Sequence, residues 1–213
     1  MSDIHYSVYQ DSDRDEVTAL LAKEFSDRDP PAVATGISEA EFAEFVSLFC
    51  SRAADQQLTI VARSSATDAL CGAVLTEDCA LDMPPGIEGV SEKFGPIFEI
   101  LGELDEEYRN SSQAPTGPAI HLLLLGVSRD FAGRGVAHGL VSECLANGAN
   151  RGFQMAVTEA TNPTSQHIFR KRGFSDRVTR SYADHQSGEQ KPFASIADAG
   201  GPILMDKQLA VSE

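Results

Sequence analysis

Three stretches in close succession decide the fold of this chain: LLLLGV (122–127), FAGRGVA (131–137) and TNPTSQHIFRKRGF (161–174). The first is an apolar run without polar alternation, which predicts a strand buried on both faces of a mixed or parallel sheet. The second is a glycine-rich turn that opens an amphipathic helix, where backbone N–H groups are left without partners at the positive end of the helix dipole. A helix start of this kind is suited to bind a pyrophosphate.

The third stretch follows a second strand, which we predict from Phe153 to Thr158 and parallel to the first. It reads as a helix with Asn162 as N-cap, Pro163 at the first helical position and Gly173 as the stop. A glycine-rich turn alone is weak evidence, because many strand-to-helix connections contain glycine for steric reasons. The dinucleotide-binding version needs its glycines after the first strand of the fold, whereas here they come late in the chain.

The remaining periodicity predicts one domain over residues 1–213, in the order β, α, α, β, β, α, β, α, β, α, β, β. We expect the first helix to end at Asp29 and the second to begin at Ser38 with a capping box to Glu41. Glycine, proline and polar residues predict loops at Leu81 to Pro96 and at Arg109 to Pro118.

The charge balance indicates which classes of partner the chain can bind. The chain has 32 Asp and Glu against 17 Lys and Arg, a formal net charge of −15, which repels a phosphate backbone and argues against nucleic-acid binding. It would attract a cationic amine, although solubility alone also explains an acidic excess. No apolar run approaches the length of a membrane span, and the polar, acidic start does not read as a signal peptide, so we expect a cytoplasmic protein without a membrane partner.

The cysteines argue against a metal site. Cys50, Cys71, Cys79 and Cys144 form no CxxC pair and have no spacing suited to zinc. We expect reduced, mostly buried thiols and no metal ion.

With both motifs considered together, the chain resembles the GNAT superfamily of acyl-CoA-dependent N-acyltransferases. The cofactor motif of that family, Q/R-x-x-G-x-G/A, falls on residues 132–137, and its second motif, N-x-x-A/S-x-x-x-Y-x-x-x-G-F, falls on residues 162–174. The resemblance implies an α/β (α+β) fold with a mixed, mostly antiparallel sheet, a central parallel strand pair splayed around an acyl-CoA cleft, and helices on both faces. It also implies acetyl-CoA as co-substrate. The cofactor-binding residues it implies are Leu125, Gly126, Val127, Ala132, Gly133, Arg134, Gly135, Val136, Ala137, Asn162, Ser165 and Phe169.

Two positions depart from the family pattern. Ala132 replaces the Gln or Arg that opens the cofactor motif, so binding would depend on backbone amides and on Arg134. Phe169 replaces the tyrosine that protonates the departing thiolate in many relatives. Because a thiol has a pKa of about 8.5, a side-chain proton donor is helpful rather than essential.

A narrower likeness points to insect-type arylalkylamine N-acetyltransferases, in which an acidic residue before a proline serves as base. Asp29 before Pro30 holds that place, and Ser165 matches one of two hydroxyl residues near the second motif. Vertebrate arylalkylamine enzymes carry two histidines on the central strand, of which only His121 has a counterpart because Leu123 fills the second position.

A primary amine with a pKa near 10.4 needs a base, or water leading to one, to become neutral at pH 7. We name Asp29 first and His121 second as this base, and Ser165, or a water on it, as the proton donor to the thiolate. A backbone N–H between Leu125 and Val127 is expected to hold the oxyanion. Each residue also has a structural interpretation: Asp29 as a helix terminator, His121 as a core histidine, Asn162 as a cap and Phe169 as core.

The sequence therefore predicts an N-acetyltransferase that moves an acetyl group from acetyl-CoA to a small primary amine, an arylalkylamine or a polyamine, by direct attack in a ternary complex. Two alternatives stay open: a catalytically silent acyl-CoA-binding module, and a protein lysine acetyltransferase. A homodimer is also left open, since nothing in the sequence establishes one.

Overall fold

The computed structural model describes residues 4–114 and 116–210. Three parts of the predictions above lie outside these residues: the first three residues of the acidic start, Pro115 in the second loop, and the last three residues of the single domain. No helix in the described ranges is both long and apolar enough to cross a membrane.

Seven strands and six α-helices make up the described fold. The strands are β1 (Ile4–Val8), β2 (Ile60–Ser64), β3 (Leu70–Asp78), β4 (Ala119–Val127), β5 (Met155–Ala160), β6 (Ser175–Thr179) and β7 (Ile203–Gln208). The helices are α1 (Arg14–Arg28), α2 (Pro30–Thr35), α3 (Glu39–Gln56), α4 (Gly95–Arg109), α5 (Val136–Asn150) and α6 (Pro163–Lys171). Strand order in the single sheet is β1-β2-β3-β4-β5-β7-β6. All neighbours are antiparallel except β4 and β5, which are parallel.

The parallel pair separates soon after it forms. Only residues 119–121 of β4 pair with residues 155–157 of β5. A bulge contributes to the divergence, because Leu75 and Thr76 of β3 oppose Leu124 and Leu122 of β4, which leaves Leu123 as the extra residue. The space between the two strands beyond this point is called the cleft below.

Helices cover both faces of the sheet. On one face, side chains of α1, α3 and α4, among them Leu21, Phe45 and Ile100, pack around Leu75 and Leu124 of the sheet. On the other face, Leu140, Val141 and Cys144 of α5 and Phe169 of α6 pack around Ile120 and Leu122. The leucine-rich strand is thus buried from both sides, as its lack of polar alternation predicts.

One helix was not predicted. Asp29 ends α1, as expected, but Pro30 then begins α2 at once, so three helices rather than two precede β2. Asp29 is extended (φ −75°, ψ 119°), which is the conformation favoured before proline, and Pro30 suits the first position of a helix. The predicted capping box of Ser38 and Glu41 is present at the start of α3. Strand bounds also shift: β5 begins at Met155, β6 at Ser175 and β7 at Ile203.

Candidate functional site

The turn after β4 holds the unpaired amides. Gly133 and Gly135 have φ of +73° and +79°, a left-handed conformation that favours glycine. Among the described residues, no acceptor is found for the N–H groups of Gly133, Arg134 and Gly135, after which α5 begins with its own unpaired first turn. A Cβ built at either glycine would meet no atom within 4 Å, so both glycines border open space.

Not every amide after β4 is available. The N–H of Ser128 donates to the Cys71 carbonyl, that of Phe131 to Ser128, and that of Ala132 to Arg129. Ala132, the position that departs from the family motif, therefore has its amide in use. Free donors that follow one another directly are found at Gly133–Gly135 and in the first turn of α5, and we call this segment the glycine turn.

Arg134 projects from the middle of the glycine turn. Its guanidinium lies over the Phe131 ring, 5.2 Å from the ring centroid, a cation–π contact. No carboxylate of the described chain forms an ion pair with it. An exposed and uncompensated arginine beside free amides suits a phosphate group.

The end of β4 forms one wall of the cleft. Leu125, Gly126 and Val127 pair with β3 along one edge, and no strand pairs with their other edge. Helix α1 packs directly on this end of the strand, because a Cβ on Gly126 would lie 2.6 Å from Leu21 Cδ2. Arg28, the last residue of α1, donates from Nη2 to the Val127 carbonyl at 3.0 Å.

Asp29 is buried where two corners of the fold meet. Its side chain joins the α1–α2 corner to the β5–α6 corner, because the Thr161 hydroxyl donates to Asp29 Oδ1 at 2.5 Å. Burial raises the pKa of Asp29 to about 6, against the opposing effect of hydrogen bonds from Thr161, the Ala32 amide and the Asn162 side chain. We call Asp29, Thr161 and Asn162 the Asp29 corner.

The start of α6 adjoins this corner and is fixed by a capping box. Asn162 Oδ1 accepts from the Ser165 amide at 2.9 Å, and the Ser165 hydroxyl donates to the Asn162 carbonyl at 2.9 Å. Ser165 is half-buried, so its hydroxyl has a structural partner while remaining near the Asp29 corner. Phe169 is 3% exposed and packs against Phe174 with ring centroids 5.0 Å apart, which makes its ring part of the core.

His121 lies at a different place, at the base of the cleft. Its Nε2 is 2.6 Å from Glu159 Oε2 across the β4–β5 pair. Burial is the largest single influence on His121 and lowers its pKa. The charge and hydrogen bond of Glu159, together with the charges of Glu77 and Asp105, raise the pKa by more, so it ends above the usual value. Burial is the largest single influence on Glu159 and raises its pKa, but the charge and hydrogen bond of His121, a backbone hydrogen bond and the charge of Arg109 together lower the pKa overall. The two side chains therefore form an ion pair.

Two residues of these clusters were missed from the sequence. Thr161 comes directly before the N-cap, where it reads as part of the turn, and Glu159 is a charged residue in an apolar strand. Glu159 could have been found by that signal, because a carboxylate within a central strand needs a partner on a neighbouring strand. The parallel pairing places His121 opposite Val157, two residues before Glu159 on β5.

The family comparison agrees with this geometry. Residues 99–174, from α4 to the end of the second motif, match the model of the Acetyltransferase (GNAT) family. The matched segment, 76 of the 213 residues, is similar to GNAT acetyltransferases. The predicted fold, a mostly antiparallel sheet with one parallel pair and helices on both faces, is confirmed.

Solved structures share the fold of this chain over nearly its whole length. The C-terminal condensation domain of Ebony, in complex with beta-alanyl-dopamine, superposes with a TM-score of 0.89 at 17% identity, covering 98% of this chain and 100% of that one. Arylalkylamine N-acetyltransferase 2 from Aedes aegypti gives 0.81 at 21% identity, with coverage of 98% and 100%. The polyamine N-acetyltransferase of Drosophila melanogaster gives 0.79 at 17% identity, with coverage of 97% and 100%. At these identities the likeness shows the fold alone.

No cluster of three or more His, Cys, Asp or Glu side chains is arranged to hold a metal ion within residues 4–114 and 116–210. The four cysteines are free thiols, with Cys50, Cys71 and Cys144 buried and Cys79 exposed.

Proposed function

We propose that this protein is a GNAT-family enzyme that transfers an acetyl group from acetyl-CoA to a small primary amine by direct attack in a ternary complex. The observation that carries the proposal is the combination of free amides in the glycine turn with a buried, partly basic carboxylate beside the same cleft. Solved structures of similar fold include an arylalkylamine N-acetyltransferase and a polyamine N-acetyltransferase, which supports an amine as acceptor.

The donor would bind through its diphosphate at the glycine turn. Three free N–H groups, the first turn of α5 and the Arg134 guanidinium all supply positive potential there. The pantetheine arm then has room to run along the unpaired edge of β4. The oxyanion that forms on attack would be held by a main-chain N–H of that edge, between Leu125 and Val127.

Asp29 is better suited than His121 to be the base. A carboxylate with a pKa of about 6 is ionised at neutral pH and is a stronger base than an exposed aspartate. His121 has a raised pKa and is paired with Glu159, so near neutrality a larger fraction of it already carries the proton it would have to accept. The order of preference drawn from the sequence, Asp29 before His121, is retained on this ground.

Buried carboxylates around the cleft support a cationic acceptor. Glu24, Asp29 and Glu159 are all largely removed from water, and Glu24 lies beside Gly126 at the end of β4. Glu24 is paired with Arg28 and Glu159 with His121, whereas Asp29 has no ion-pair partner among the described residues. An ammonium group that approaches Asp29 would be stabilised before it is deprotonated. Ser165, or a water bound to it, would return a proton to the departing thiolate, and neither step requires the tyrosine that Phe169 replaces.

Calorimetric titration with acetyl-CoA, followed by thiol release with a panel of amines, tests the proposal. We expect binding, and turnover with small arylalkylamines or with polyamines. Binding without thiol release across the panel would favour the silent acyl-CoA-binding module, and turnover with lysine peptides alone would favour a protein acetyltransferase. No detectable binding at millimolar acetyl-CoA would overturn the donor assignment itself.

A further inference from the structure

Some positively charged side chains of this acidic chain form ion pairs with a carboxylate, and others do not. Of the 17 Lys and Arg residues, those in ion pairs with a carboxylate are Arg14, Arg28, Arg52, Arg63, Lys93, Arg109, Arg129, Arg170, Arg177 and Arg180. Three of the others, Lys171, Arg172 and Lys207, have no carboxylate partner among the described residues and line a single groove of about 490 Å³ with Ser142, Leu145 and Gly173. We call it the basic groove. Three uncompensated cations together in a chain of net charge −15 mark a place built for an anion.

Lys171 and Arg172 lie at the end of α6 and Lys207 lies on β7, and hydrogen bonds hold Arg172 and Lys207 in place. Arg172 follows α6 and reaches α5, where its Nε donates to His138 Nδ1 at 3.3 Å and its Nη1 to Ser142 Oγ at 2.9 Å. Lys207 of β7 donates to the Arg172 carbonyl. Burial, together with the charges of Arg172, His167 and Lys171, lowers the pKa of His138, so the ring stays neutral and can accept from Arg172.

Compensation of the α6 dipole explains only part of this arrangement. A lysine in the last turn, such as Lys171, stabilises the negative end of a helix. The guanidinium of Arg172, however, turns away from the last carbonyls of α6 towards α5. An arginine fork placed between two helices is a geometry that recognises phosphate.

The groove is close to the glycine turn. His138 follows Gly135 by three residues, about 4.5 Å along the axis of α5, and Ser142 is about 10 Å along it. The guanidinium of Arg172 contacts both His138 and Ser142, so it lies along the side of α5 between these two residues. A coenzyme A whose diphosphate lies on the glycine turn carries a second phosphate, a monoester on the adjoining ribose. A phosphate monoester has a second pKa near 6 and is mostly a dianion at pH 7.

From these contacts we infer that Lys171, Arg172 and Lys207 form a subsite for the ribose 3′-phosphate of the donor. The inference rests on the proposed binding of acetyl-CoA and adds a determinant of donor specificity. The protein thereby discriminates coenzyme A from its 3′-dephospho form, which has the same thiol, pantetheine and diphosphate.

Binding of the two coenzymes to the full chain tests the subsite. We expect the wild type to bind coenzyme A at least about tenfold more tightly than 3′-dephospho-coenzyme A, because only coenzyme A can form charge-assisted hydrogen bonds between a phosphate dianion and the three cations. In Lys171→Gln and Lys207→Met, the affinity for coenzyme A should fall towards that for the dephospho form, which should itself stay unchanged. Lys207→Met keeps the aliphatic stem beside Gly173, and Lys23→Gln, which removes an exposed cation on α1, is the matched control.

The outcomes separate this inference from the proposed function. Equal affinity of the wild type for both coenzymes, or a parallel loss of both in the variants, would overturn the subsite while leaving acetyl-CoA as donor. Failure of either coenzyme to bind would instead overturn the donor proposal. A titration with inorganic phosphate is the third arm: phosphate binding that is lost in Lys207→Met, with no discrimination between the coenzymes, would assign the groove to free phosphate and overturn the subsite.

Discussion

The glycine turn follows β4 and the Asp29 corner includes the residues that follow β5, the two strands that border the cleft, but the two regions are built in different ways. The glycine turn consists of consecutive residues, and its groups are backbone amides whose positions follow from two glycines and a helix start. The Asp29 corner joins side chains 132 positions apart in the chain, and its properties depend on burial and on partners from β5 and α6. Local sequence therefore determines the first, whereas only the completed fold determines the second. The predictions below test this difference.

We expect the largest effect from Gly135→Val. A β-branched residue is strained at φ +79°, and its side chain would enter the open space that the free amides face. Acetyl-CoA affinity should fall by about a hundredfold or more, which corresponds to about 2.7 kcal/mol. Calorimetry measures the loss, and circular dichroism checks that the fold survives.

Gly152→Val is the matched control for this variant. Gly152 also has positive φ, +89°, and open space around it, but it lies past the far end of α5. Both variants should lose a similar amount of stability, about 1–3 kcal/mol for the strained backbone, and only Gly135→Val should lose binding. Equal affinity in the two variants would remove the glycine turn from the donor site.

Asp29→Asn should have the next largest effect, on kcat rather than on donor affinity. Loss of a general base lowers kcat by about 10²- to 10⁴-fold, and the limb of the pH profile near pH 6 should disappear. Unchanged kinetics would transfer the base to His121 or to water. Asp27→Asn, which alters an exposed carboxylate of the same helix, should leave both kcat and the profile unchanged.

Asp29→Asn should also change how the stability of the protein depends on pH. The folded pKa of Asp29, about 6, is above the ordinary value of 3.8, so burial of the neutral acid favours the fold at low pH. This contribution is complete below pH 3.8 and is lost as the pH rises through 6. Relative to wild type, Asp29→Asn should therefore gain in melting temperature between pH 4 and pH 7. A difference that does not vary with pH would mean that Asp29 is not buried as described.

Glu159→Gln should have a smaller effect on activity and a clear effect on His121. Without the carboxylate, burial dominates and the pKa of His121 should fall, which NMR titration of the ring measures directly. The pair stabilises the fold most between pH 4.5 and 6.5, because the Glu159 contribution is lost as pH falls and the His121 contribution as pH rises. Loss of the ion pair in this pH range should lower the free energy of unfolding by about 1–3 kcal/mol.

Turnover separates the two candidate bases. If Asp29 is the base, kcat of Glu159→Gln at pH 7.5 should stay within about threefold of wild type, far from the loss expected for a general base. A drop as large as that of Asp29→Asn would make His121 the base and Glu159 the residue that orients it.

The difference between the two regions also explains what sequence reasoning could reach. Gly133, Gly135, Asn162 and the buried strand follow local rules of φ, capping and hydrophobic pattern, and the fold shows each of them as predicted. Helix α2 was missed because Pro30, read as a stop signal, also begins a helix. The Thr161 bond to Asp29, the Glu159 partner of His121 and the basic groove depend on strand order and helix packing, which no local pattern specifies.

The smallest expected effect is a shift of the pH profile of kcat rather than a loss of activity. In Thr161→Val the hydroxyl that donates to Asp29 is removed at nearly constant volume, and this hydrogen bond is the largest of the influences that lower the Asp29 pKa. The Asp29 pKa should rise further above 6, and the acidic limb of the kcat profile should move to higher pH with little change on the plateau. Thr164→Val, in the exposed first turn of α6, is the control and should leave the limb in place. If the acidic limb moves in neither variant, Asp29 is not the group whose titration controls turnover, even if Asp29→Asn is inactive. The reason is that the pKa of the titrating group must respond when its hydrogen-bond donor is removed.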